Sequence, residues 1–157
     1  MKTVNHVQIF ATMLFFGNAF ARADDFITCV RDDKASAQRS AEEGQTVSDL
    51  VKFQIVAKPE SVRGTMETAL GTRKLGEDTD GDGVTADSRN VVERFERGAG
   101  GRLALDVSEH GHDHYTYALK IDGALGRAEV SEQAIYDCVD EPELSVAVYT
   151  CRFDKVD

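Results

Sequence analysis

RLALDVSEHGHDHYTYALKID, residues 102–122, is the stretch that decides the fold. Leu103, Leu105 and Val107 alternate with Ala104, Asp106 and Ser108, while Tyr115, Tyr117, Leu119 and Ile121 alternate with Thr116, Ala118, Lys120 and Asp122. A period of two places each apolar set on one face of a strand. Gly111 supplies the bend between the two runs, so 103–108 and 115–121 read as a hairpin.

Outward from this hairpin the same period recurs. Phe53, Ile55 and Ala57 share one face, with Val51 preceding them. Leu144, Val146 and Val148 face opposite Ala147, Tyr149, Cys151 and Phe153, so the last strand reads as buried on both sides. Glycines punctuate short segments, tryptophan is absent, and Pro59 and Pro142 are the two prolines. Two stretches are ambiguous. Residues 34–44 have good helix formers but almost no apolar stripe, which suits a surface helix or a loop. Residues 87–97 set Val91, Val92 and Phe95 at helical spacing, with Asp87 or Ser88 available as a cap, yet they also permit a strand. The expectation is a mainly β protein: a single antiparallel β-sandwich or partly closed barrel with at most one or two short helices.

The first 23 residues have a different character. Lys2, the apolar run IFATMLFF over Ile9 to Phe16, and Ala21-Arg22-Ala23 follow the order of a secretory signal peptide. The run is too short for a spanning helix, which needs about 20 apolar residues. Cleavage after Ala23 leaves one exported β-rich domain over 24–157, periplasmic or secreted, with no membrane span. Loss of Lys2 and Arg22 takes the formal charge from −10 to −12. Such acidity argues against nucleic acid as a partner and favours a basic protein.

An oxidising compartment makes disulfides expected among Cys29, Cys138 and Cys151. A hairpin turning at Asp140-Glu141-Pro142-Glu143 sets Cys138 opposite Ser145, out of step with Cys151. A Cys138–Cys151 bond then needs a wider loop; otherwise Cys29 takes one of the two and ties the N-terminal segment to the C-terminal sheet.

Asp78-Thr79-Asp80-Gly81-Asp82-Gly83 is the strongest chemical motif. Carboxylates at alternate positions converge on one centre, and hard oxygen donors suit Ca²⁺. The run resembles the first half of an EF-hand loop. Asp78, Asp80 and Asp82 take its first, third and fifth positions, Gly83 the sixth and the Val84 carbonyl the seventh. The resemblance implies a Ca²⁺ site. The twelfth position carries Arg89 instead of a bidentate Glu, so Asp87 at the tenth is the compensating ligand and the site is weak. His110, His112 and His114 share the solvent side of the hairpin tip and form a second candidate, for Zn²⁺ or Cu²⁺. A hairpin tip offers ligands but no shaped cavity, so it is not a catalytic centre.

No GxSxG elbow, Walker loop, HExxH or glycine-rich dinucleotide turn occurs. The expected function is therefore a small, non-enzymatic binding domain carrying one weak Ca²⁺ site in the 78–87 loop. The alternative is an acidic periplasmic inhibitor or immunity-type protein that blocks a basic partner.

Overall fold

The computed structural model describes residues 24–76, 90–109, 114–136 and 141–156. Ten strands and one helix follow in chain order. They are β1 (Asp24–Arg31), α1 (Asp33–Glu43), β2 (Thr46–Val47), β3 (Leu50–Ala57), β4 (Val62–Thr68) and β5 (Gly71–Gly76). After these come β6 (Asn90–Arg97), β7 (Arg102–Glu109), β8 (His114–Asp122), β9 (Arg127–Ile135) and β10 (Glu143–Val156). All except β2 form a ring in the order β1-β3-β4-β5-β6-β7-β8-β9-β10, closed by pairing of β10 with β1. The barrel expectation holds, and the sheet closes fully.

Nine strands cannot close with antiparallel neighbours throughout, because direction must reverse an even number of times around a ring. One parallel pair is required, and it is β5–β6, joined only at Leu75↔Asn90 and Gly76↔Val91. By contrast, β1 and β10 close the ring over eight antiparallel pairs, from Asp24↔Val156 to Arg31↔Tyr149.

The alternations read in the sequence become the barrel interior. Leu105, Val107, Leu119, Val130, Ile55, Phe53, Ile27 and Tyr149 are at most 1 % exposed. Burying side chains of this size stabilises the fold by roughly 1.5–3 kcal/mol each. The Phe53 and Tyr149 rings meet edge to face, with centroids 5.1 Å apart. Two β-bulges correct the reading. In β3 a register shift between Leu50 and Lys52 turns Leu50 inward instead of Val51, so Leu50 is fully buried. In β6 a shift between Val92 and Arg94 puts Val92 and Phe95 against the core three positions apart. That spacing is the apparent helical signal, and the segment is a strand.

The last strand, expected to be buried on both faces, is so only over residues 145–149, beside α1 and β2; Leu144, Thr150, Arg152 and Asp154 are exposed. Its one edge pairs with β9 over Glu143–Thr150. Its other edge is used in succession by β1, by α1 and by β2. Where β1 leaves, the Asp32 N–H donates to the Val148 carbonyl at 2.8 Å. Ser36 of α1 donates to the Val148 carbonyl at 3.1 Å and accepts from its N–H at 2.9 Å. The helix packs through Ser36 and Ser40 rather than through an apolar stripe. Asp32 caps it by accepting from the Ala35 N–H at 3.0 Å, and Gly44 ends it at φ 66°.

The β9–β10 register differs from the expected hairpin. Ser145 faces Glu132, and the turn is the wider span between Ile135 and Glu143. The disulfide joins Cys29 to Cys151, which are directly paired across β1 and β10 with Cα atoms 4.1 Å apart. Cys138 lies outside the described residues. No helix among the described residues is long and apolar enough to cross a membrane.

Candidate functional site

Polar side chains enter the interior at one end of the barrel, where β7 stops at Glu109, β8 starts at His114, β9 stops at Ile135 and β10 starts at Glu143. Alternation carries Glu109, Tyr117, Glu132 and Ser145 onto the same inner face as the core residues of their strands. A buried carboxylate is costly unless it is hydrogen-bonded.

Glu132 is 7 % exposed and has such partners. It accepts from the Ser48 hydroxyl and from the Ser145 hydroxyl, the latter at 3.1 Å. Burial pushes its pKa above the ordinary carboxylate value, with the two hydroxyls pulling the other way. Ser48 sits in the connection that carries the chain from β2 on the outside of β10 into β3. Its backbone carbonyl accepts from Arg31 at 2.7 Å, its Oγ accepts from the Leu50 N–H at 3.2 Å, and Tyr149 donates to the Leu50 carbonyl at 2.6 Å. Residues 46–50 thus form a strap clasped to the barrel at several points. Burial also raises the phenol pKa values of Tyr117 and Tyr149.

Arg73 and Glu109 form the second polar unit. Glu109 is buried on β7, Arg73 points inward from β5, and their ion pair bridges the short parallel seam. At the opposite end, Arg97 plays a comparable tying role. It donates to the Lys58 carbonyl at 2.9 Å, to Asp25 at 3.0 Å and to the Ala57 carbonyl.

Within this cluster the Ser48 and Ser145 hydroxyls both donate to the buried Glu132 carboxylate, and Arg73 is paired with Glu109. The sequence-derived sites fall elsewhere. Asp78, Asp80, Asp82, Val84 and Asp87 lie outside the described residues, as do His110 and His112. His114 is described: it is exposed and pairs with Ile135 at the start of β8. Among the described residues no three His, Cys, Asp or Glu side chains form a metal-holding group. The strands flanking the undescribed connections are informative. Residues 110–113 follow Glu109, 137–140 follow the end of β9, and 77–89 rejoin the wall at Asn90, which is paired with Glu109. Each of the three connections is thus flanked by at least one strand end at this end of the barrel. Together they hold eight acidic residues and one basic residue, Arg89.

Sequence reading missed Arg73, Glu109 and Glu132 as interior groups. The available signal was a charged residue at an inward position of an alternating strand, seen at Glu109 two residues beyond Val107. Scans against protein families, curated proteins and solved structures found no match.

Proposed function

We propose that this chain is an exported, non-enzymatic recognition domain whose acidic barrel end engages a basic protein. The carrying observation is the distribution of charge along the sequence: three connections, each flanked by at least one strand end at this end of the barrel, hold eight acids against a single base. The buried polar groups behind them are engaged with each other, which leaves the outer rim for recognition. The Cys29–Cys151 disulfide fits an oxidising compartment, in keeping with the signal-like first 23 residues. Charge of this kind speeds encounter with a cationic partner and makes it sensitive to salt.

The same reading places one weak Ca²⁺ site in the 78–87 loop. Its support is the alternating aspartates, together with the pairing of Leu75 with Asn90, which fixes the two ends of the connection one strand spacing apart. With a Kd of ~1 mM, ~10 mM Ca²⁺ adds about 1.4 kcal/mol and raises Tm by roughly 4 °C. Asp80→Ala should abolish that rise; an identical response in wild type and variant removes the Ca²⁺ site.

Capture from the envelope fraction of the secreting cell, at low and high salt, tests the partner. One basic protein released by salt is expected, and capture that is unaffected by salt overturns the electrostatic reading. The narrower inhibitor or immunity-type role draws on the same charged end. Loss of the captured protein's own activity on binding distinguishes blockade from simple recognition.

A further inference from the structure

We infer that the groove between α1 and the outer face of β8 and β9 binds a short peptide with both termini free, its ammonium toward α1 and its carboxylate toward Lys120 and Arg127. This site lies on the barrel wall and is independent of the acidic-end reading. The groove has a volume of about 560 Å³. Two ion pairs are expected across its floor, because Lys120 stands opposite Glu129 and Asp122 opposite Arg127. Both carboxylates turn elsewhere. Glu129 pairs with Arg39 of α1 at 3.3 Å. Asp122 pairs with Arg102 at 3.5 Å and accepts from the N–H groups of Ala124 and Leu125. Among the described residues Lys120 and Arg127 have no ion-pair or hydrogen-bond partner, and they are diagonal neighbours on one exposed face.

At the α1 wall the balance is reversed. One guanidinium, Arg39, serves three carboxylates: Glu42 at 3.9 Å, Glu43 at 2.7 Å and Glu129 at 3.3 Å. The last turn of α1 carries no base to offset the negative end of its dipole. With Glu43 and Arg102 counted beside the lining residues, four carboxylates face four cations, so the region is neutral but divided. A ligand of one sign satisfies one wall and is repelled by the other, whereas a zwitterion satisfies both. Arg127 and Glu129 lie two residues apart on one face of β9, roughly 7 Å, which an extended dipeptide spans from end to end. Between the poles Ala35, Val148 and Leu125, the last 70 % exposed, offer apolar surface to a side chain. Solvent screens charges this exposed, so the binding is weak and falls with salt.

The probe is the dipeptide Ala-Leu, titrated into the full-length mature chain and followed by NMR amide shifts, with its N-acetyl and C-terminal amide forms in parallel arms. Ala-Leu should move the amides of Ala35, Glu129 and Val148 and bind at least fivefold more tightly than either blocked form. The double variant Lys120→Gln with Arg127→Gln, at exposed positions without partners, should weaken Ala-Leu by a similar factor and leave the amide form unchanged. Glu42→Gln should weaken Ala-Leu and leave the N-acetyl form unchanged. Equal binding of the three peptides overturns the site, as does Ala-Leu affinity unaltered in the double variant. No groove shift at millimolar peptide also overturns it. A need for the carboxylate without a need for the ammonium overturns the zwitterion and assigns the groove to simple anions.

Discussion

Between β1 and β10 the barrel wall is joined by eight consecutive antiparallel pairs and a disulfide, whereas between β5 and β6 it is joined by two parallel pairs, with an ion pair reaching past the seam from β5 to β7. Both junctions close the same ring, yet they differ in what holds them. The first unites strands at opposite ends of the sequence, where loop-closure entropy is largest, and it has the covalent bond. The second unites strands only 13 residues apart, so closure costs less and fewer bonds suffice. Stability in a closed sheet is therefore spread according to the entropy each junction must overcome.

The largest effect should come from the β1–β10 junction. Cys29→Ser with Cys151→Ser is expected to cost about 4–5 kcal/mol in urea unfolding, because the bond closes a loop with a sequence separation of 122. A loss smaller than that from breaking the seam would reverse the comparison. Next is the seam. Glu109→Gln removes one partner of a largely buried pair and should cost about 3 kcal/mol. Amide exchange at Leu75 and Val91 should accelerate before exchange at Ile27 and Cys29. Exchange rising equally at both junctions would mean that the ring opens as one unit.

The smallest predicted effect is one of pH. Because burial raises the Glu132 pKa in the folded state above its unfolded value, this group's contribution is fully present at acidic pH. It declines as pH rises through the folded pKa. Glu132→Gln keeps an acceptor for Ser48 and Ser145 and should raise the urea midpoint at pH 8 more than at pH 4. An equal shift at both values would show that Glu132 ionises without cost and that the strap contributes nothing pH-dependent.

How much of this was legible depended on whether a local period survived. The runs at 103–107 and 115–121 declared themselves because nothing interrupts their pleat. The bulge after Val92 inserts one residue and turns a strand's period into a helix-like interval, and the bulge after Leu50 hides which residue begins the inner face of β3. Helix α1 lacked an apolar stripe because its contact with β10 is made by serine hydroxyls and backbone. The Cys29–Cys151 pairing is non-local: it follows from the closure of the ring, which no stretch of sequence states. Of the candidate sites, the composition of the acidic connections was legible, but which strand ends flank them required the strand order. The clasp around Glu132 joins three distant segments and was not readable at all.

The odd number of strands has a consequence for how the chain could be rewired. Asp24 and Val156 are paired neighbours, so a short peptide could join them, and new termini could be opened within 77–89. Such a circular permutant would run from β6 through β10, on to β1, and end at β5, with every junction of the ring except β5–β6 joining ring strands that are successive in the new order. The parallel junction would then need no crossover, because it would lie between the two chain ends. A barrel that the present chain must close with one awkward step becomes, read from Asn90, a single continuous walk around its own wall.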